Sequence, residues 1–401
     1  METVHTPQPV FDSTLDLLER LTAVSSPSGD LAGLETAARC LGDELGRHGL
    51  EVEIRAQTAA DGHEQPVLYA RSGTAKEQHL FLIGHLDTVL PAARPERRDG
   101  RLFATGAIDM KGGLAALCGA LELLKRRGAA PPDDLLLIVV PDEEVAGLLS
   151  QQVVAQYGGA ARGFWVLEPG MRRNDNETLV AGRRGIFDWR LVVHGASAHA
   201  GNAYWRGRSA LTAAAEWCVG ARALASPGQR PTINAGRLIA GERDFVDDVG
   251  AGVSLIGTTR QLNVVPDRAL VEGEARFLTR ADGEEVLRSL DQLTQHIAET
   301  HQVEARFEPG PVVPPVEPHG PSRQKSQSAV DLAARAGWTI EVEEDRGGIS
   351  FSNFLPDPSA IPILDGLGPV GDGMHTREEY VELASLDRRI ALLADLLEAE
   401  R

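Results

Sequence analysis

A chain of 401 residues with 42% hydrophobic content has room for two or three domains at roughly 150 residues each. Lys and Arg number 40 against 58 Asp and Glu, and the net charge of −18, spread along the chain, opposes binding to nucleic-acid phosphates and to anionic membrane surfaces. Cys40, Cys118 and Cys218 lack metal-ligand spacing and read as small buried apolar residues in a reducing compartment; with no basic-then-apolar leader and no apolar run near the about 20 residues that span a bilayer, the expectation is a cytoplasmic protein.

Apolar spacing predicts helices over 14–24 and 31–48, the second with Leu34, Leu41 and Leu45 on one face and Gly49 as its stop. Then "HLFLIG" (79–84), "DLLLIVV" (134–140) and "GFWVL" (163–167) read as buried strands, separated by helical stretches at 110–127 and in "SQQVVAQYG". Apolar runs without in/out alternation, separated by amphipathic helices, predict an α/β fold: a mainly parallel sheet with helices on both faces. From about Arg183 the texture changes. "GIFDWRLVV" and "LVEGEARFL" alternate with period two, helices are predicted at 208–224 and 283–301, and "QVEARFE" adds a strand, an order that resembles an inserted α+β, ferredoxin-like module with two or three strands between its helices. After the Pro-rich "PGPVVPPVEPHGP" the first texture returns, with a helix at 325–337, the strand "IPILDGL" and a final helix at 385–400. The organisation expected is a discontinuous domain of residues 1–182 and 310–401 interrupted by an inserted domain of residues 183–309.

The strand "LLLIVV" ends in Pro141, Asp142, Glu143 and Glu144, three consecutive carboxylates whose repulsion must be offset. In open parallel sheets, ligands bind beyond the carboxyl ends of the strands. There the chain offers His85 and Asp87 after the first apolar run, Glu143 and Glu144 after the second, Glu168 after the third and His375 after the last, with Asp109 in "GAIDMKGG" at a helix entry. Carboxylates that converge need a compensating cation, and His with Asp and Glu is a donor set suited to zinc or another divalent transition metal. This many donors would serve two metals sharing a bridging carboxylate. Taken singly, each motif has a plainer reading: a histidine beside a carboxylate, a helix N-cap at Asp109, a solvated acidic helix start at Glu143 and Glu144. The match of Gly366–Gly371 to a dinucleotide loop contains a Pro and lacks a following helix, and "NET" at Asn176 has no secretion signal to make it a glycosylation site.

The ordered set "HLDTVLP", "GAIDMKGG", "PDEEVAG", "LEPG", "GASAHAG", "NVVPD", "EAR" and "GMHTREEYVEL" resembles the zinc-dependent aminoacylase and glutamate carboxypeptidase family of co-catalytic metallopeptidases, nearest its bacterial glutamate carboxypeptidase branch. The resemblance implies a phosphorylase/hydrolase-like catalytic domain with an inserted lid and dimerisation domain, two Zn²⁺ per subunit (Co²⁺ or Mn²⁺ being possible), and a homodimer acting on a small peptide or N-acyl amino acid. It makes His85 and Glu168 ligands of one metal, Glu144 and His375 ligands of the other, Asp109 the bridge, Glu143 the general base and Asp87 the group that orients His85. It further implies that His199 reaches the partner subunit's active site to stabilise the oxyanion, and that Asn263 and Arg276 contact substrate.

A guanidinium suits bidentate carboxylate binding, so Arg276 is a candidate anchor for a substrate carboxylate. The plainer readings are that His199 caps a turn and that Arg276 pairs with Glu272 or Glu274. The chain departs from the family in "GGISFSNF", where Phe351 stands in place of a usual Asp beside the substrate-contacting Ser350, and in Tyr204 and Trp205, where smaller or polar residues are expected. These changes suggest an apolar or aromatic pocket. Three other readings compete with a carboxypeptidase: a deacylase of the acetylornithine or succinyl-diaminopimelate type, a non-catalytic binding protein on the same fold, and a two-metal phosphoesterase, for which Lys111 is the cation nearest the ligands.

Overall fold

A computed structural model of the chain describes residues 6–59, 62–73, 78–145, 147–225, 231–250 and 263–401. In chain order, helices α1 (Gln8–Ala23) and α2 (Leu31–Arg47) precede strands β1 (Glu51–Thr58), β2 (Glu64–Arg71) and β3 (His79–His85). Helix α3 (Lys111–Arg126), strand β4 (Leu135–Val140), helix α4 (Leu148–Gly158) and strand β5 (Ala161–Val166) follow. Next come β6 (Gly185–His194), α5 (Ala210–Ala223), β7 (Thr232–Gly241), α6 (Arg243–Gly250), β8 (Arg268–Phe277), α7 (Arg280–His301) and β9 (Glu304–Pro309). The chain closes with α8 (Gly320–Arg335), β10 (Ile363–Leu364) and α9 (Leu383–Glu398).

Two compact units result, one formed by Met1–Gly182, Glu317–Arg346 and Ser350–Arg401, the other by Arg183–Val316 and Gly347–Ile349. The first is built on a six-stranded sheet of order β1-β2-β4-β3-β5-β10, mixed in direction: β4, β3, β5 and β10 run parallel, while the β1–β2 hairpin joins antiparallel to β4. Leu80–Ile83 of β3 and Leu135–Val140 of β4 are buried along their whole length, as expected of strands covered on both faces, and each such side chain contributes about 1.5–3 kcal/mol. Helix α3 packs against both α1 and α9, α2 lies on β1 and β2, and α4 lies on β5. Gly49 and Gly128 end α2 and α3 with φ of +85° and +72°, a conformation that glycine adopts without strain.

Register fixes what emerges where. His85 pairs with Val140 and Ile83 with both Ile138 and Val166, so β3, β4 and β5 end level with one another and deliver His85, Glu143–Glu144 and Glu168 to the same edge.

The second unit is a four-stranded antiparallel sheet of order β7-β8-β6-β9, the ferredoxin-like arrangement of a split βαβ. Its core sets Phe187, Trp189, Leu191 and Val193 of β6 against Trp217 of α5 and Leu290 of α7, with Trp217 Nε1 donating to Thr294 Oγ1 at 2.9 Å. Between α5 and α7 the described residues hold two strands and the short α6; residues 251–262 lie outside the description. Among the cysteines only Cys118 is buried; Cys40 and Cys218 are half-buried, which corrects the expectation of three buried thiols. Among the described residues no helix is long and apolar enough to cross a membrane.

Candidate metal centre

The imidazole of His85, wholly buried at the end of β3, has Nδ1 3.0 Å from the Asp87 carbonyl oxygen and 3.2 Å from Asp87 Oδ1. With Nδ1–H donating to Asp87, the Nε2 lone pair turns to the other side, 3.2 Å from Asp109 Oδ1 and 3.4 Å from Glu168 Oε1. Asp109 Oδ2 lies 3.3 Å from His375 Nε2, and Glu144 Oε2 lies 3.1 Å from the same nitrogen. Two triads therefore meet at one carboxylate: His85, Asp109 and Glu168 on one side, Asp109, Glu144 and His375 on the other, with the donor atoms of each triad within 4.8 Å of one another. Asp109 is free for this because the N-cap of α3 is Met110, with no side-chain capping bond.

The three carboxylates after β4 have three different employments. Asp142 is buried and accepts from Leu149 N–H at 2.7 Å, Ser150 N–H at 3.1 Å and Ser150 Oγ at 2.6 Å, tying down the start of α4. Glu144 joins the second triad. Glu143 has its backbone N–H fixed by Asp87 Oδ1 at 3.1 Å, while Asp87 Oδ2 accepts from Glu144 N–H at 3.0 Å and from Ser28 Oγ at 2.7 Å. One buried aspartate thus sets both the His85 ring and the Glu143–Glu144 turn, a double duty that the sequence did not announce.

The electrostatics of the cluster call for positive charge at its centre. Burial, then the Glu168 carboxylate, pushes Glu143 up to about 8, and burial pushes Glu144 up to about 7. Hydrogen bonding to Asp109 raises His375 to about 9. Burial works against a charged His85, yet hydrogen bonds to Asp109, Asp87 and Glu168 hold its pKa well above the usual imidazole value. Every one of these shifts favours a bound proton, and a divalent cation answers the same demand with neutral imidazoles as ligands. The donor set of N and O atoms fits such an ion.

Other residues singled out in the sequence fall differently. Ser350 and Phe351 are buried, with Ser350 N–H bonded to Asn353 Oδ1 at 3.0 Å and the Phe351 ring centroid 6.3 Å from that of His85. Phe351 therefore packs as a buried ring beside a member of the cluster. Lys111 is also buried, and its ammonium donates to the carbonyls of Leu21 and Val24 at 3.0 Å each, so the cation a phosphoesterase would need is spent on the backbone. In the second unit, His199 is exposed and its Nδ1 accepts from Gly201 N–H and Asn202 N–H at 3.1 Å; Asn263 is adjacent, its carbonyl accepting from Ala200 N–H at 2.7 Å. Arg276 is held by Glu274 at 2.9 and 3.2 Å and by the Gly347 carbonyl at 2.7 Å. Tyr204 and Trp205 form an edge-to-face pair on the surface, Trp205 being 93% exposed. Sequence reasoning passed over Glu379, which stands unremarked in "GMHTREEYVEL"; its carboxylate is buried beside Asp109 and accepts from the Asp109 N–H at 3.2 Å.

An α/β domain that assembles two histidines and three carboxylates at its strand ends has the make-up of a metal-dependent hydrolase. The chain belongs to peptidase family M20/M25/M40, whose family profile matches residues 81–399. Curated relatives include the succinyl-diaminopimelate desuccinylases of Wolinella succinogenes, 26% identical with 96% of this chain and 99% of that protein covered, and of Methylorubrum extorquens, 28% identical with 96% and 98% covered. Among solved structures, the aminopeptidase PepT of Bacillus cereus superposes with a TM-score of 0.78 at 22% identity, covering 97% of this chain and 98% of that one. The metallo-carboxypeptidase Sso-CP2 of Sulfolobus solfataricus superposes with a TM-score of 0.68 at 16% identity, covering 96% and 99%. The protein is a hydrolase of amide or peptide bonds.

Proposed function

We propose that the protein is a dinuclear zinc hydrolase that frees an amino acid from a peptide or N-acyl amide bond. The observation that supports this reading most is the pair of donor triads sharing Asp109, with the half-buried Glu143 next in the chain to the ligand Glu144. His85, Asp109 and Glu168 would hold one metal and Asp109, Glu144 and His375 the other; Co²⁺ or Mn²⁺ suits the same donors. Bound there, the metals supply Lewis acidity towards the scissile carbonyl and the attacking water.

The chain's own groups do the rest. Glu143, next in the chain to the ligand Glu144, would take the proton of the attacking water and pass it to the departing nitrogen. Asp87 fixes the His85 tautomer and the position of the Glu143 backbone together. The unit of Met1–Gly182, Glu317–Arg346 and Ser350–Arg401 acts as the catalytic domain and that of Arg183–Val316 and Gly347–Ile349, which takes in residues 310–316 beyond the boundary expected from the sequence, as lid and dimerisation domain, with His199 of a partner subunit stabilising the oxyanion. In support, the two N–H groups that His199 Nδ1 accepts place the proton of the neutral ring on Nε2 as an outward donor. Asn263, beside it, and Ser350 are read as substrate contacts; Arg276 would serve only if substrate displaced Glu274 from its guanidinium.

The glutamate carboxypeptidase branch suggested by the motifs has a rival in deacylation of an N-acyl amino acid, which the names of the desuccinylase relatives favour. A panel of N-acyl amino acids and dipeptides, assayed for amine release with zinc-loaded enzyme, decides both questions. Turnover that chelation abolishes, and that Glu143→Ala lowers by about 10²–10⁴-fold while metal stays bound, is expected. The preferred acyl group and terminal residue then choose the branch. Turnover unaffected by chelation or by Glu143→Ala would overturn the proposal.

A further inference from the structure

We infer that Glu379 is a positioning residue for the bridging carboxylate: its side chain sets the loop that presents Asp109 to both histidines. Glu379 is 4% exposed, and its carboxylate is wrapped by one loop. Oε2 accepts from Gly106 N–H at 2.9 Å, and Oε1 accepts from Ile108 N–H at 3.1 Å and Asp109 N–H at 3.2 Å. Its backbone carbonyl accepts from Ala104 N–H at 3.1 Å, so the same residue holds the loop at both ends. Gly106, at φ +75°, takes the turn that lets three N–H groups converge on one carboxylate; a Cβ there would come within 2.9 Å of Thr88 Cγ2.

Glu379 does not belong to either donor triad, yet it lies four residues after His375 and grips the peptide of Asp109 itself. It therefore joins the two loops whose side chains meet in the second triad, where Asp109 Oδ2 and His375 Nε2 are 3.3 Å apart. On the other side of Asp109, Lys111 binds the last turn of α1 through the Leu21 and Val24 carbonyls, so the loop is pinned from both directions. A carboxylate buried next to that of Asp109 is a standing electrostatic cost. The N–H cradle is what it returns, and a cradle of N–H groups orders backbone in a way that a water-filled gap would not.

This inference rests on the two-metal reading of the site, and the experiment separates the two. Metal content and affinity are measured under buffered Zn²⁺ for the wild type, Glu379→Ala and Glu379→Gln, the visible spectrum is recorded after Co²⁺ substitution, and amide hydrogen exchange of the metal-free proteins is followed over residues 104–112. The expected result is loss of exchange protection at Gly106, Ile108 and Asp109 in Glu379→Ala. Affinity for one of the two metals should be weakened on the order of 10–100-fold and the Co²⁺ spectrum altered, with kcat lowered more than KM is raised. Glu379→Gln keeps an acceptor for two of the three N–H groups and should fall between, and it carries the test if Glu379→Ala does not fold. Retained protection in the variant, or lost protection with both metals bound at wild-type affinity, would overturn the inference. A wild type that binds fewer than two metals would count against the two-metal reading instead, leaving the exchange data to report on the loop.

Discussion

Phe351 stands with its ring beside His85 and no exposed surface, at the position where the motif resemblance led us to expect an acid. An aspartate there would be a further carboxylate against an already anionic cluster; the phenyl ring removes that charge and excludes water from one flank of the imidazole. Its contribution is therefore packing, and Phe351→Ala should cost about 3–5 kcal/mol of stability. Denaturant titration of the metal-free protein measures that loss directly. The order of preference across the substrate panel should survive in the folded enzyme, since the ring does not reach the surface; an inverted order would show that Phe351 selects substrate after all. Asp87 makes the complementary point. Its two oxygens serve the His85 ring and two successive backbone N–H groups, so one acid orders parts of the site that lie far apart in the sequence.

The start of α3 shows why "DMKGG" carries two glycines. A Cβ on Gly113 would lie 2.0 Å from the Leu167 carbonyl oxygen, and one on Gly112 would lie 2.4 Å from the Ala107 carbonyl oxygen, so the helix approaches the β5 end backbone against backbone. That approach brings Asp109 to Glu168. Gly113→Ala should destabilise by about 1–3 kcal/mol or more through forced separation, and lower metal occupancy with it. Gly46→Ala in α2, where a Cβ meets nothing within 4 Å, should instead stabilise by about 0.5–1 kcal/mol, and urea midpoints of the two variants make the comparison. What the sequence disclosed follows the same logic of local against distant order. The buried strands β3, β4 and β5 were legible because both faces are apolar; strand ends and the entry to α3 grouped seven polar residues, and the five that the family resemblance marked as ligands, His85, Asp109, Glu144, Glu168 and His375, meet in space. The β1–β2 hairpin, whose Glu51–Ala56 segment alternates charged and apolar residues with period two, lacks the continuous apolar run by which β3, β4 and β5 stand out, and its charged residues masked it. Glu379 and Lys111 were illegible for a related reason: a charged side chain looks solvated until the fold shows which carbonyls and N–H groups surround it.

At the scale of the whole molecule, the role proposed for His199 requires two copies to make one working site. Within the second unit, α5 presents Leu211 at 41% and Val219 at 71% exposure, eight residues apart and thus on one face, and Trp205 precedes the helix almost fully exposed. We propose this face of α5 as the seam of the twofold assembly that the role assigned to His199 requires. Val219→Glu should then shift the protein towards monomer in sedimentation equilibrium and lower activity with it. A stricter test mixes two inactive proteins, His199→Ala and Glu143→Ala, after dissociation and reassembly. If His199 serves the partner's site, each hybrid dimer contains one site with Glu143 from one chain and His199 from the other; random reassortment makes half the dimers hybrid and restores roughly a quarter of wild-type activity. If His199 serves its own chain, no hybrid site holds both groups and the mixture stays as inactive as its parts. Restoration that is abolished by adding Val219→Glu to both chains would tie the activity to this face of α5, because the hybrid site then fails for want of assembly with both Glu143 and His199 still present in the mixture.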